Sequence, residues 1–528
     1  MKFKLFLLVM LCLNITLQAQ ISPIQVTKSK IEKDKKKDTE LMFTADDGKG
    51  GFISARLYRA GLIKMPKGYY IEHYDASLNL VSEYEYKIDD SSIKSLFVKD
   101  GQLNLIEYKL NREANTNDYN LLTSSLSKLD FSGEGKKIFS VSRDDVKKPF
   151  FFSVGFIPIG NLGQVDHDPT GEVYLSKNRN YIAFNFDIKD DKEETHLVKV
   201  YDNDFNLVFE NQFKQEGVRD NLFHYNSITI DDSNGDAYFL GKLYESKRMK
   251  KKGKSNYVYK LYQLNASGSK ELSFDTAENF VGSMELINDD NNLVCVGFYS
   301  EKNDFRYKGT VYYNIDKENF SIKASSFNPF TEQFMIDKYG EKRGKRKAGK
   351  GKELSNLTYR GTHIDNQGNV FFTAEEYYIV THTNYKTGAT SYTYYYNDIF
   401  ACKINTKGKM EWARNINKRQ VTKGNAIDYF SYLSTVKDDR IIILLNGSDK
   451  VKKMRDDRIR FDDKRIKKLS LYAIEILPTG EFNYEQVINN DESKVTYKVA
   501  EGVISDNYDA VILEGNKGKK KRVVKLTL

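Results

Sequence analysis

Cysteine and proline are both scarce in this chain of 528 residues, which holds 3 cysteines and 7 prolines. A disulfide-stapled scaffold is excluded, because such scaffolds need many cysteine pairs. Collagen-like and disordered compositions are excluded as well, since apolar residues make up 40% of the chain. Cys295 and Cys402 lie in separate apolar strand patterns, and we predict two buried free thiols there.

Sequence motifs that carry chemistry are also missing. The 6 histidines are scattered, and no nucleophile elbow, phosphate-binding loop or dinucleotide fingerprint occurs. Residues 231–236 lack the spacing and closing glutamate of a calcium loop, and residues 166–168 are interpreted as a polar turn rather than a cation site. We therefore predict no catalytic residue, no metal ligand and no cofactor. Carboxylate pairs that cleave glycosides stay open, because their separation in space is not visible in a sequence.

The N-terminus has the pattern of a secretory signal peptide over residues 1–19, with a basic start, a short apolar run and a small residue at Ala19. The apolar run is too short for a comfortable membrane span, and no later segment is long and apolar enough to cross a bilayer. We therefore predict export to the periplasm or the outside of the cell. After the signal peptide we predict a flexible basic leader over residues 20–40.

From residue 41 onward the chain alternates apolar and polar residues with a period of two, which indicates β-strands throughout. Aromatic residues, at 13%, favour strands as well. Two kinds of polar turn alternate along the chain. Turns of the first kind lie near residues 99, 177, 232, 289, 366, 438 and 506; those of the second kind lie near residues 76, 203, 266, 406 and 479. Asp, Asn and Gly suit both kinds because they tolerate positive φ.

A strand–turn–strand pair, a variable loop and a second such pair repeat every 55–80 residues or so, which is typical of radial four-stranded sheets. This rhythm resembles the β-propeller superfold. The resemblance implies an all-β fold with a single propeller domain over residues 41–528, closed by N- and C-terminal strands, and seven or eight blades. The missing nucleophile elbow disfavours propeller-plus-hydrolase peptidases, and the single Trp412 disfavours the quinoprotein type. No named family is indicated.

Positive charge is concentrated in four runs, at residues 247–254, 338–353, 450–468 and 517–522. They carry net charges of +6, +6, +6 and +5, whereas the whole chain carries +9, so the rest of the chain carries −14. In a propeller these runs occupy connections that emerge on one side of the ring. We therefore predict one basic face that attracts polyanions; the alternative is that the runs are flexible, solubilising loop tips.

The candidate residues for polyanion binding are basic residues from three of these runs. They are Lys247, Arg248, Lys250, Lys251, Lys252, Lys254, Arg343, Lys345, Arg346, Lys347, Lys519, Lys520, Lys521 and Arg522. Residues 377–396 predict an extended hairpin on the same face, whose Tyr385, Tyr392 and Tyr394 either contact a ligand or pack across the strands. The apolar residues 149–160 are predicted to tuck into the ring.

These observations predict an exported, non-catalytic binding or scaffold propeller. Its partner would be an anionic polysaccharide, a lipid head group or an envelope protein, and export argues against nucleic acid. The alternative is a glycan hydrolase or lyase with acidic residues at the central opening.

Overall fold

The computed structural model describes most of the chain from residue 21 to residue 528. The described ranges are 21–34, 39–61, 65–147, 170–189, 193, 195–214, 222–245, 250–251, 254–289, 291–302, 304–383, 390–423, 427–463, 465–505 and 508–528. The predicted signal peptide, the apolar residues 149–160 and the polar turn at 166–168 lie outside these ranges.

The described part of the chain opens with two short strands, β1 (Gln25–Lys28) and β2 (Glu32–Lys33). Seven antiparallel blades follow, each folded from one continuous stretch of chain. Blade 1 contains β3 (Glu40–Asp46), β4 (Phe52–Ala60), β5 (Met65–Tyr74) and β6 (Leu80–Lys87). Blade 2 contains β7 (Ser91–Lys99), β8 (Gln102–Asn111), β9 (Thr116–Ser125) and β10 (Lys136–Ser142). Blade 3 contains β11 (Glu172–Leu175), β12 (Tyr181–Ile188), β13 (Thr195–Asp202) and β14 (Leu207–Lys214).

Blades 4 and 5 follow the same plan, and blade 4 carries the small hairpin β17–β18 between its second and third strands. Their strands are β15 (Phe223–Ile230), β16 (Ala237–Tyr244), β17 (Lys250–Lys251), β18 (Lys254–Ser255), β19 (Tyr257–Asn265) and β20 (Gly268–Ser273); and β21 (Phe280–Asn288), β22 (Leu293–Ser300), β23 (Gly309–Asp316) and β24 (Ser321–Pro329). Two helices connect blade 5 to blade 6, α1 (Glu332–Tyr339) and α2 (Glu341–Gly349).

Blade 6 has the two longest strands, and β29 extends its sheet towards blade 7. The strands of blade 6 are β25 (Leu357–Ile364), β26 (Val370–Thr383), β27 (Thr390–Ile404) and β28 (Met410–Ile416), and β29 (Lys418–Lys423) joins the same sheet. Blade 7 contains β30 (Tyr432–Lys437), β31 (Arg440–Gly447), β34 (Ser470–Ile476) and β35 (Phe482–Ile488). Between β31 and β34, β32 (Lys452–Lys453) and β33 (Ile459–Asp462) pair with each other, and β33 pairs with β29. The last elements are α3 (Asn490–Ser493), β36 (Thr496–Tyr497), β37 (Val503–Ile504), β38 (Ala510–Lys517) and β39 (Lys520–Thr527), with 3-10 turns at Ile427–Tyr429, Ile466–Lys468 and Val499–Glu501.

Both ends of the chain build one further sheet, which we call the closing blade. β36 and β37 pair with β38, β38 pairs with β39, and β39 pairs in turn with β1 and β2. Strands from near both ends of the chain thus meet in one sheet. Residues 25–28 and 32–33, within the predicted flexible leader, are strands in the structure, because the open edge of β39 supplies backbone partners for them.

Burial follows the position of a strand within its blade. β22, the second strand of blade 5, is buried along its whole length, because neighbouring blades cover both of its faces. β24, the outermost strand of that blade, alternates exposed and half-buried residues instead. Apolar clusters fill the interfaces between successive blades, and Phe52, Tyr74 and Ile512 join blade 1 to the closing blade. The all-β propeller prediction is confirmed.

The two kinds of turn lie on one side of the ring, because each joins strand one to strand two or strand three to strand four of an antiparallel blade. We call this side the turn face. Their predicted chemistry is confirmed: Asp365 Oδ1 accepts from the backbone N–H groups of Gln367 and Asn369 at 2.9 and 2.8 Å, and Asn405 Oδ1 does the same in the other turn of blade 6. The remaining connections emerge on the opposite side, which we call the connection face.

Cys295 and Cys402 are fully buried and unpaired, as predicted. Burial raises the pKa of both thiols well above the usual value. In the described part of the chain, no helix is long and apolar enough to cross a membrane.

Candidate functional site

The four basic runs all belong to the connection face. Residues 247–254, 450–468 and 517–522 link the second strand of a blade to the third, and residues 338–353 link blade 5 to blade 6. Both types of connection leave a propeller on the same side. The topology therefore collects runs that are up to 270 residues or so apart in sequence.

The run at residues 338–353 is predicted to be a connecting loop, but residues 338–339 and 341–349 are helical. Thr331 caps α1 by accepting from the N–H of Phe334 at 3.2 Å, and Phe334 packs on Phe400 with ring centroids 5.3 Å apart. α2 folds back on α1 at Gly344, where a Cβ atom would lie 2.5 Å from the Cα atom of Ile336. The sequence does not predict α2, because the helix is mostly basic and lacks an apolar face with a period of 3.6 residues.

Most of the cations of α2 point to solvent. Arg343 and Arg346 are exposed, whereas Lys345 pairs with Glu341 at 2.5 Å. Arg343 and Lys347 lie over the ring of Tyr339, 5.6 and 4.3 Å from its centroid. Desolvation lowers the pKa of Lys347, and the neighbouring cations lower it further. α2 is thus a site of concentrated positive potential.

The run at residues 450–468 contacts these helices directly. Arg458 donates through Nη1 to the carbonyl oxygen of Lys338 at 2.9 Å, so the two runs form one continuous surface. Eleven exposed basic side chains of these two runs have no carboxylate within ion-pair distance among the residues that the structure describes: Lys342, Arg343, Arg346, Lys350, Lys352, Lys452, Lys453, Arg455, Arg465, Lys467 and Lys468. We call this set the basic surface.

The C-terminal run contributes less than predicted. Lys521 is 2% exposed, and its Nζ atom binds both carboxylate oxygens of Glu72, at 2.7 and 2.9 Å. It is an internal ion-pair partner rather than a polyanion ligand. Arg522 is half-buried and donates to the carbonyl oxygens of Ser29 and Ser493, each at 3.1 Å. Only Lys519 and Lys520 among the four candidates of this run are exposed.

The run in blade 4 is described in part. Lys250, Lys251 and Lys254 lie in the paired strands β17 and β18. Lys247, Arg248 and Lys252 lie outside the described residues. The backbone pairing fits a hairpin on the connection face.

The long hairpin of β26 and β27 is confirmed, with Thr383 paired to Thr390 at its end. Cross-strand packing accounts for part of its aromatic content, since Tyr378 and Tyr395 stack with centroids 4.6 Å apart. Tyr394 is half-buried against the cluster of Tyr396, Phe430 and Leu469, whereas Tyr392 is 42% exposed. Tyr385 lies outside the described residues, so Tyr392 is the candidate that remains available to a ligand.

The turn face carries a cavity of about 400 Å³, which the sequence analysis did not predict. Its lining comes from turns of the first kind in blades 3, 5, 6, 7 and the closing blade, which places it on the axis of the ring. We call it the axial cavity. Its lining residues include Lys177, His363, Gln367, Asp439 and Tyr508. The sequence shows all five turns. Because each of them follows the first, innermost strand of a blade, their convergence near the axis of the ring could have been predicted.

Burial lowers the pKa of His363 to about 4, so its imidazole is neutral at pH 7. Burial raises the pKa of Asp439, and the Asp365 carboxylate raises it further. The Lys403 ammonium, 2.8 Å from Asp439, acts in the opposite direction. No group of three or more His, Cys, Asp or Glu side chains suited to a metal ion occurs in the described ranges.

No family model matches the chain, and no curated protein matches it either. Solved structures that resemble it include the β-propeller domain of the Trilobed protease from Pyrococcus furiosus, with 8% identity, a TM-score of 0.35, and 86% of this chain and 97% of that chain covered. The polysaccharide lyase Uly1 covers 91% and 88% of the two chains at 8% identity and a TM-score of 0.38. An oligogalacturonate lyase in complex with manganese covers 95% and 98% at 8% identity and a TM-score of 0.36. At this similarity no activity carries over.

Proposed function

We propose that this protein is an exported, non-catalytic binding propeller that holds an anionic polymer of the cell envelope or its surroundings on the connection face. The observation that carries the proposal is the basic surface: exposed cations of α2 and of residues 450–468 meet through the contact between Arg458 and Lys338. Clustered unpaired cations attract a polyanion by their summed field and by release of its counterions.

The geometry of α2 suits an extended polymer better than a compact ligand. The cations of the basic surface lie on α2 and on the neighbouring residues 450–468. They therefore form a broad patch and not a closed pocket. A second cavity borders this patch, but it has a volume of only about 180 Å³, below the usual range of small-molecule sites, roughly 300–1,000 Å³. The exposed ring of Tyr392 offers an apolar body with a polar tip on the same face.

The test is chromatography of the purified protein on heparin with a salt gradient. We expect the wild-type protein to be retained, and K342A/R343A/R346A to elute at lower salt. Because counterion release scales with the cations engaged, the slope of log affinity against log salt should fall in magnitude by about two to three.

The matched control is K49A/K407A/K409A, which removes the same charge from exposed turns on the turn face. It should elute with the wild-type protein. The electrostatic proposal would be wrong if retention did not depend on the salt concentration, or if both triple variants eluted at equally reduced salt. An acidic protein that co-purifies with the wild type but not with the α2 variant would identify a protein partner instead.

A glycan hydrolase or lyase on the same scaffold is the second candidate. The observation in its favour is that Asp289, Asp365, Asp438 and Asp439 line the axial cavity. Incubation with a panel of neutral and acidic glycans, followed by detection of new reducing ends or unsaturated products, decides between cleavage and binding alone.

A further inference from the structure

The axial cavity lies on the opposite side of the ring from the basic surface. A ligand in the cavity would therefore be bound independently of a polyanion on the basic surface. Its volume of about 400 Å³ falls within the usual range of small-molecule sites, roughly 300–1,000 Å³. Five blades contribute to its wall, and each does so through a short turn held by its own hydrogen bonds. A cavity built in this way is largely formed before a ligand arrives.

Three of the six charged side chains that line the cavity form ion pairs, and the other three, Lys177, Asp289 and Asp365, sum to a single negative charge. Asp439 pairs with Lys403 at 2.8 Å, Asp438 pairs with Arg440 at 3.2 Å, and Lys437 pairs with Asp509. A charged ligand would therefore meet little net field, while it would lose its own hydration on entry. Lys177 is exposed to solvent at the rim.

Asp289 and Asp365 are engaged in a different way, as acceptors for the backbone of their own turns. Asp289 Oδ1 accepts from the N–H groups of Asn291 and Asn292 at 3.0 and 2.7 Å, and Asp365 accepts from Gln367 and Asn369. These carboxylates hold the turns in place. Both residues line a cavity that also offers amide groups and a neutral imidazole.

The wall thus combines many uncharged donors and acceptors with one exposed aromatic ring. The side chains of Asn366 and Gln367 are exposed in the turn that Asp365 holds, and an amide both donates and accepts. Tyr508 is 38% exposed and has a φ of 59°, an uncommon conformation for an aromatic residue. It sets a ring beside the polar groups.

We infer that the axial cavity binds an uncharged, polyhydroxylated ligand, a carbohydrate of one or two sugar residues. Sugar hydroxyl groups both donate and accept, which matches amides, imidazole and hydrogen-bonded carboxylates. The apolar C–H face of a sugar ring packs on a flat aromatic side chain. The inference does not depend on polyanion binding at the connection face.

The test is isothermal titration of the full chain with four named probes: N-acetylglucosamine, cellobiose, glucosamine as a cation and galacturonate as an anion. We expect saturable binding of a neutral probe that is insensitive to salt. Q367A and Y508N should weaken it at least about tenfold, since each removes one contact worth about 1.4 kcal/mol on the affinity scale; asparagine tolerates the positive φ at position 508.

Lys407 supplies the matched control, because it occupies the same place in a turn of the same design away from the cavity. Asn405 Oδ1 accepts from its N–H at 3.1 Å, as Asp365 does from Gln367, and a glycine of positive φ follows each, Gly408 and Gly368. K407A should bind like the wild type. Tighter, salt-sensitive binding of glucosamine or galacturonate, no saturable binding at about 10 mM of any probe, or equal losses in Q367A and K407A would each overturn the inference.

Discussion

Lys521 shows how one residue of a basic run can serve the interior. Arg56, itself 1% exposed, binds Glu72 at 2.8 Å and Asp34 at 3.0 Å, and Lys521 binds the same Glu72 carboxylate at 2.7 Å. These side chains come from blade 1, the closing blade and the segment that follows β2. The network therefore joins the first blade to the last sheet, at the place where the ring closes.

We expect Lys521→Met to be strongly destabilising. It leaves the buried Glu72 carboxylate with one cationic partner fewer, and breaking a buried ion pair costs about 3–5 kcal/mol of the free energy of unfolding. Urea denaturation followed by circular dichroism measures the change. The neighbouring Lys520→Met is the control, because Lys520 is exposed and should shift the free energy by less than about 0.5 kcal/mol. Equal effects of the two substitutions would contradict this assignment.

The same network makes stability depend on acid. Burial alone would raise the pKa of Glu72, but Arg56 and Lys521 outweigh it and lower the pKa to about 2. A carboxylate with a lowered pKa in the folded state stabilises the fold above its unfolded value, and this contribution disappears as the pH falls through the folded value. We expect a loss of about 3 kcal/mol between about pH 5 and pH 2.

Glu72→Gln isolates that contribution. The variant should be less stable than the wild type at pH 7, and its stability should fall less steeply as the pH is lowered through this window. The exposed Glu485→Gln is the control and should follow the wild-type profile. A Glu72→Gln profile parallel to the wild type would refute the role of the carboxylate.

At the scale of elements, β1 is the strand on which closure of the ring rests. Gln25 to Lys28 pair with Thr527 to Val524 of β39, and Ile21 is 4% exposed in the core between blade 7 and the closing blade. Without this segment β39 would present an open edge and Arg56 would lose Asp34. The leader is thus a structural part of the last sheet.

We expect a chain that begins at residue 35 to be less stable than one that begins at residue 21. The loss should exceed about 3 kcal/mol of the free energy of unfolding, from the exposed core and the broken ion pair. Thermal unfolding measures it. A synthetic peptide of residues 21–34 added in excess should restore part of the midpoint, whereas a scrambled peptide should not. Identical midpoints for the two chains would show that β1 is dispensable.

The helices α1 and α2 mark the limit of pattern analysis at this scale. The apolar contacts of α1 rest on few residues, chiefly Phe334 and Met335, and α2 buries only Gly344. Neither gives the sustained 3.6-residue apolar period by which helices are predicted. The remaining signals for a helix are the capping residue Thr331 and the helix-favouring Glu, Lys, Arg and Ala residues. These signals are weaker than the charge pattern, which dominates this stretch of the sequence.

At the scale of the whole molecule, the ring separates two surfaces of different chemistry. The connection face carries the basic surface, and the turn face carries Asx turns and the axial cavity. Antiparallel pairing within every blade enforces this separation, because the two classes of connection cannot exchange sides. A polymer on one face and a small ligand on the other could therefore be bound at the same time.

The sequence by itself determined the strands, the chemistry of the turns and the repeated blade, because these depend on alternation and on residues that tolerate positive φ. It also determined which runs share a face, since that follows from their place in the repeat. Only the tertiary structure decided that Lys521 is buried beside Glu72, which lies 449 residues away, and that five separate turns meet around one cavity. Burial and convergence depend on distances between segments remote in the chain, and no local pattern contains those distances.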